Sequence, residues 1–137
     1  MNTMHDYILP IAGLSIGYHD FEYDIDDKFF DNFEFSEVKK GNVKVNLNVE
    51  KHEREFVLTF RFAGNVLIPC DRCNDEYEQS IENEVVIYLK YGHSYEEESD
   101  DVIVIPSEEG EFDVSSLIYE YIILSLPIHR VHQDVSE

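Results

Sequence analysis

Apolar and polar residues alternate through residues 43–49 and again through residues 56–62. Successive side chains of a β-strand point to opposite faces, so this alternation predicts two strands that each bury one face. The polar residues 50–55 between the two runs predict that they form an antiparallel hairpin. Such a hairpin needs further strands or a helix to cover its apolar face.

Further strands are predicted on both sides of this hairpin. The same alternation in residues 21–25 predicts a strand, and Val85, Ile87 and Leu89, each two residues apart, predict another that begins near Ile81. The apolar residues 102–105 predict a short strand, and residues 7–11 predict an edge strand, since Pro10 has no amide hydrogen to donate.

Two stretches are predicted to interrupt the sheet. Gly64-Asn65 is typical of a turn, and residues 66–68 after it predict another short strand. Residues 92–101 are polar and acidic, which predicts a loop.

The last predicted element is a helix. Leu117, Ile118, Tyr121 and Ile122 recur at helical spacing, and Asp113 or Ser115 can accept hydrogen bonds from the first free amides. The predicted fold class is therefore α+β, a mainly antiparallel sheet or partly open barrel with one C-terminal helix packed on it. At 137 residues, the chain is predicted to form a single domain over residues 1–137.

The net charge limits the choice of partners. Thirty acidic residues against ten basic ones give a formal charge of -20, which opposes indiscriminate contact with the phosphates of nucleic acid. It favours a basic partner, although an acidic surface can also serve solubility alone.

The basic residues are concentrated in one part of the chain. Residues 38–72 hold seven of the ten, whereas residues 20–37 carry eight acids and residues 96–113 carry nine. A mildly basic sheet region between two acidic segments is therefore predicted, and its cations are candidates for binding a partner or RNA: Lys39, Lys40, Lys44, Lys51, Arg54, Arg61 and Arg72.

Both cysteines lie in one predicted turn, Cys70-Asp71-Arg72-Cys73. Two thiolates at this spacing can bind one side of a zinc ion, and His129 and His132 are the candidates for the other two ligands. The pair could instead act in thiol redox chemistry, with Arg72 lowering a thiol pKa. The third reading is two reduced cysteines that only pack in a sheet turn.

The sequence contains no motif that points to an enzyme. A glycine-rich phosphate loop, a nucleophile elbow and a Ser/His/Asp arrangement are all missing from it. No signal peptide and no apolar run long enough to span a membrane is visible, so the expected location is the cytoplasm.

Several motifs together resemble the YceD-type family. They are Gly64-x-Val66 leading to the Cys70 to Cys73 turn, an acidic stretch, Gly110-Glu111-Phe112-Asp113-Val114, and the helix end Ile123-Leu124-Ser125-Leu126-Pro127. The family comprises the large ribosomal RNA subunit accumulation proteins, also called domain of unknown function family 177. The N-terminal Ile11-Ala12-Gly13-Leu14 and the hairpin resemble a Bacteroidetes-like branch of it.

The resemblance implies a role in accumulation of 23S ribosomal RNA, and hence in biogenesis of the large subunit, with no established catalytic activity. Many members of the family have further cysteines after the Leu-Pro segment, which could complete a metal site. This chain ends at Glu137 without them, so we expect either a shortened chain or an incomplete site.

Two functional hypotheses follow. The first is a non-enzymatic factor in 23S ribosomal RNA accumulation that acts through a basic ribosomal protein or a pre-ribosomal particle. The alternative is a zinc-stabilised structural or thiol-redox module that uses Cys70 and Cys73.

Overall fold

Eight strands and two α-helices make up the described part of the protein. A computed structural model describes residues 7–33, 36, 38–70, 75–106, 108 and 110–126. In chain order the elements are β1 (Ile8–Leu9), β2 (Gly17–Ile25), α1 (Asp27–Phe30), β3 (Lys40–Lys51), β4 (Glu55–Pro69), β5 (Glu76–Gly92), β6 (Glu96–Ser99), β7 (Val102–Pro106), β8 (Phe112–Asp113) and α2 (Ser115–Leu124). A short 3-10 helix, Ile11–Gly13, follows β1.

Six strands form one open sheet in the order β2-β3-β4-β5-β7-β6. Strands β2 to β5 are antiparallel to their neighbours, and β3 and β4 are the predicted hairpin, with Val45 opposite Phe62. Strand β7 runs parallel to β5, and β6 pairs with it antiparallel. Strands β1 and β8 form a separate antiparallel pair.

The alternation in the sequence sorts the side chains onto two faces of the sheet. The inner face carries buried apolar residues, among them Val45, Leu58, Phe60 and Ile87. Helix α2 covers this face with the buried Ile118 and Ile122, and α1 contributes the buried residues Phe29 and Phe30. The outer face carries the polar residues that alternate with these.

The predicted fold class is confirmed. The protein is α+β, its sheet is mostly antiparallel, and the C-terminal helix packs on the core. Of the two predicted forms, the open sheet is correct and the partly open barrel is not, because within the described ranges β2 and β6 end the strand order and do not pair with each other.

The predicted turn at Gly64-Asn65 is wrong. Strand β4 runs through both residues without a break, and Gly64 lies opposite Val43 on one side and Ile81 on the other. A Cβ on Gly64 would lie only 2.2 Å from the carbonyl oxygen of Asn42. Glycine is needed here for close approach of two strands, which is its other common role within a sheet.

The predicted loop at residues 92–101 is also wrong in part, because it contains strand β6. The strand pairs with β7, with Glu96 opposite Val104 and Glu97 opposite Ile103. Strand β6 has three consecutive glutamates and therefore no alternation by which the sequence could reveal it.

The start of helix α2 agrees with the prediction for Asp113. Its carboxylate accepts a hydrogen bond of 2.9 Å from the amide of Ser115, the first helical residue. Among the described residues, no helix has the length and apolar character needed to cross a membrane.

Candidate functional site

Three of the predicted cations, Lys40, Lys44 and Arg61, project from the outer face of β3 and β4. All three are exposed. Lys44 lies opposite Ala63 and Arg61 lies opposite Asn46, so these two are diagonal neighbours on adjacent strands. Lys40 lies four residues before Lys44 on the same face of β3, opposite Leu67.

The other predicted cations are not part of this group. The Nζ of Lys51 donates to the carbonyl oxygens of Ile11 and Leu14 and lies 5.5 Å from the centre of the Phe56 ring. Lys51 therefore ties the 3-10 helix to the end of the sheet. Arg54 lies in the connection from β3 to β4, Lys39 precedes β3, and Arg72 lies outside the described residues.

Acidic residues of the two neighbouring strands flank the outer-face cations. Asp24 of β2 lies directly opposite Lys44, and Glu84 of β5 lies opposite Arg61 with 3.6 Å between its carboxylate and the Arg61 Nε. An adjacent carboxylate partly cancels the attraction that a Lys or Arg exerts on a polyanion such as RNA. Among the described residues, the cations of segment 38–72 therefore do not form a continuous basic surface.

The cysteine turn is described only at its first residue. Cys70 follows β4 directly, is buried, and its amide donates a hydrogen bond of 2.8 Å to the carbonyl oxygen of Asp75. The other three predicted zinc ligands, Cys73, His129 and His132, lie outside the described residues. Zinc binding by this set, and redox chemistry of the two thiols, stay predictions.

Within the part of the chain that the structure describes, no three residues among His, Cys, Asp and Glu are grouped as metal ligands would be. Several carboxylates lie instead around an open groove. The groove is lined by residues of β6, β7, β8 and helix α2, and its volume is about 390 Å³.

The groove has an apolar floor and an acidic rim. Ile103 and Ile105 of β7 form the floor, with Phe112 before α2 and Leu117 on α2 beside them. The rim carries carboxylates from three separate elements. The full lining consists of Tyr95, Glu97, Ile103, Ile105, Pro106, Glu111, Phe112, Asp113, Ser116, Leu117 and Glu120.

The pKa values of two tyrosines, Tyr95 and Tyr121, are raised by burial and by carboxylates around this groove. The hydroxyl of Tyr95 donates to Glu97 at 2.8 Å, and that of Tyr121 donates to the carbonyl oxygen of Asp100 at 3.2 Å. Partial burial raises the pKa of both phenols, and the nearby carboxylates, including Glu120 for both, raise the two pKa values further.

Sequence reasoning missed the groove because it missed strand β6. The available signal was the pair of acids Asp100-Asp101 directly before the apolar strand at residues 102–105, since a short polar turn before one strand indicates a partner strand on its other side. With β6 placed beside β7, Glu97 lies on the same surface as Glu111 and Asp113, and all three line the groove.

One family model matches the chain, and it is described as the large ribosomal RNA subunit accumulation protein YceD. The match covers residues 58–137, which is more than half of the 137 residues and includes every residue that lines the groove. No curated protein and no solved structure matches the chain. The family match agrees with the motifs at the cysteine turn and at the end of helix α2, and the chain belongs to the YceD family.

Proposed function

We propose that this protein is a non-enzymatic cytoplasmic factor in 23S ribosomal RNA accumulation, and that it acts by binding a basic ribosomal protein or a ribonucleoprotein partner. The observation that carries the proposal is the family match over residues 58–137, whose description names accumulation of the large ribosomal RNA subunit. Biogenesis of the large subunit is the process in which such accumulation takes place.

The charge of the chain supports a basic protein as the direct partner. A formal charge of -20 repels a free RNA backbone and attracts a chain rich in Lys and Arg. A positive partner also associates faster with an oppositely charged surface, since long-range attraction steers the encounter.

Contact with RNA is proposed only locally, on the outer face. Lys40, Lys44 and Arg61 are exposed there and can meet phosphates once a partner has brought the RNA close. Asp24 and Glu84 beside them weaken any independent attraction to RNA. The proposed order is therefore protein first and RNA second.

A deletion strain tests the biological part of this proposal. We expect its ratio of 23S to 16S ribosomal RNA to fall and to be restored by the full chain supplied in trans. The affinity-tagged chain should recover large-subunit components from lysate at moderate salt. Normal 23S levels in the deletion strain, together with recovery of no ribosomal component, would contradict the proposal.

A further inference from the structure

We propose that the groove between strands β6 and β7 and helix α2 binds an extended peptide segment in which Lys or Arg alternates with apolar residues. This inference rests on the proposed function, because it specifies which part of a basic partner the protein holds and where.

The shape of the groove suits apolar side chains of an extended segment. Ile103 and Ile105, two residues apart on β7, present neighbouring apolar positions along the floor, and Leu117 forms part of the wall. The volume of about 390 Å³ lies within the range of roughly 300–1,000 Å³ that is typical of ligand pockets. In an extended segment alternate side chains point the same way, so every second residue can face this floor.

The acidic rim favours positively charged residues at the peptide positions between those that face the floor. Glu97 on β6, Glu111 before β8 and Glu120 on α2 are exposed, and they come from three sides of the groove. Burial is the main cause of the raised pKa values of Tyr95 and Tyr121, and the carboxylates of Glu97 and Glu120 raise both pKa values further. An acidic or phosphorylated segment would be repelled from this rim.

The groove differs from the outer face in one decisive respect. On the outer face Asp24 lies opposite Lys44, and Glu84 contacts Arg61. Among the described residues, those that line the groove include four carboxylates, Glu97, Glu111, Asp113 and Glu120, and no Lys, Arg or His. The balancing positive charge of this surface is therefore expected to come from a bound partner.

The edge of the sheet leaves room for an extended chain at this position. Strand β6 ends the strand order, and among the described residues no further strand pairs with its outer edge. Tyr95, whose side chain is 57% exposed, stands at the start of this edge.

Fluorescence anisotropy with labelled peptides tests the proposal. The probe is a peptide of alternating Lys and Val, and the comparison is a peptide of equal length and charge with Ser in place of Val. At 0.15 M salt we expect the full chain to bind the Lys-Val peptide about tenfold more tightly, because only that peptide can bury apolar side chains on the floor. Equal affinity for the two peptides would overturn the proposal.

Charge variants locate the binding surface. We expect Glu97→Gln with Glu120→Gln to weaken Lys-Val binding roughly tenfold, since two rim carboxylates are lost. The matched control is Glu78→Gln with Glu82→Gln on the outer face of β5, which makes the same change in net charge and should alter affinity by less than about twofold. Equal losses in the two double variants would show attraction by overall charge and would overturn the proposal.

A bulky uncharged substitution tests access to the groove separately from its charge. Ser116 is exposed on α2 and lines the groove, so Ser116→Gln should obstruct it and reduce binding without unfolding the helix, as circular dichroism would verify. If the chain self-associates at the assay concentration and Ser116→Gln abolishes this, the occupant is a second copy and the peptide proposal is wrong.

The groove and the proposed function can fail independently. If the groove variants leave Lys-Val binding unchanged while the wild-type chain restores 23S levels in the deletion strain, the groove proposal falls and the proposed function stands. If wild type does not affect 23S levels but binds the Lys-Val peptide through the groove, the peptide site stands and the proposed ribosomal role falls.

Discussion

The rings of Phe33 and Tyr119 stack face to face, with their centroids 4.0 Å apart and their planes inclined by only 7°. Phe33 follows helix α1 near the N-terminal end of the sheet, and Tyr119 lies on helix α2 near the C-terminal end of the chain. Phe33 also contacts Phe29, whose ring contacts Tyr7. This aromatic chain therefore joins the segments that cover the inner face.

The stack predicts an energetic coupling between Phe33 and Tyr119. In a double-mutant cycle with Phe33→Leu and Tyr119→Leu, we expect a coupling free energy of about 0.5–1.5 kcal/mol, measured by urea unfolding. The control pairs Phe33→Leu with Tyr88→Leu on the outer face, and these two changes should be additive. A coupling near zero for the stacked pair would mean that each ring contributes only through its own burial.

Substitution of Gly64 by alanine is predicted to destabilise the protein strongly. Its added Cβ would meet the backbone of Asn42 and Val43 at 2.2–2.6 Å, so two central strands must separate locally. We expect a loss of about 2 kcal/mol or more in the free energy of unfolding. Gly13→Ala is the matched control, because its Cβ would have no neighbour within 4 Å, and it should change stability by less than about 0.5 kcal/mol.

The raised pKa of Tyr23 leads us to expect that the protein loses stability at alkaline pH. Burial, with smaller contributions from Tyr7 and Asp113, raises the pKa of its phenol from 10.0 to about 12. The folded state thus holds this proton more tightly than the unfolded state does, so the stabilisation is complete below pH 10.0 and is lost as the pH rises through about 12.

The comparison with Tyr23→Phe isolates this effect, because all other groups titrate in both proteins. The free energy of unfolding of the wild type should decline more steeply than that of the variant between pH 10.0 and about 12. Parallel declines in urea titrations at several pH values would rule out a raised pKa for Tyr23.

The pairing of cations with carboxylates on the outer face predicts that removal of those carboxylates strengthens RNA binding. Asp24→Asn with Glu84→Gln releases Lys44 and Arg61 from their opposing carboxylates, and we expect the affinity for a single-stranded RNA to rise by about threefold at low salt. Glu97→Gln with Glu120→Gln makes the same change in net charge away from this face and should raise RNA affinity less. An equal rise would indicate that only total charge matters.

The zinc prediction has a direct readout in metal analysis. If Cys70, Cys73, His129 and His132 form a complete site, the purified chain contains one zinc ion, and Cys70→Ser and His132→Asn each remove it and lower the melting temperature. His93→Asn, outside the predicted set, should retain the metal. A wild-type zinc content near zero contradicts the prediction and leaves the buried Cys70 as a packing residue.

The sequence predicts the centre of the sheet well, for a physical reason. Residues of β3 and β4 bury one face and expose the other, so Val45, Leu47, Phe60 and Phe62 carry the period of the strand directly. The same logic identifies α2, whose buried Ile118 and Ile122 are one helical turn apart. Where buried and exposed residues alternate regularly, the pattern of apolar residues in the sequence predicts the element correctly.

The sequence fails where a residue's role depends on its neighbour across the sheet. Gly64 is followed by Asn65, a pair that is typical of turns. The reason for glycine at this position is instead the close backbone of Asn42 on the neighbouring strand. The cations of residues 38–72 look like one basic region, yet Asp24 and Glu84 lie opposite two of them on neighbouring strands, outside that stretch of sequence. Glu97 resembles a loop residue in the sequence, but it belongs to a strand and lies opposite Ile103 of β7. Strand pairing is non-local, so these relationships cannot be predicted from any single stretch.

The pairing of β1 with β8 also has a consequence for the order of folding. Ile8 lies opposite Asp113, 105 positions later in the chain (113 − 8 = 105). Contacts over such separations carry a large loop-closure cost and tend to form late, whereas the consecutive strands β3, β4 and β5 can pair as they leave the ribosome. Phe112 and Asp113 belong to β8 and also line the groove. The proposed peptide-binding groove is thus complete only after the C-terminal third of the chain has been synthesised, and a shorter nascent chain lacks part of its lining.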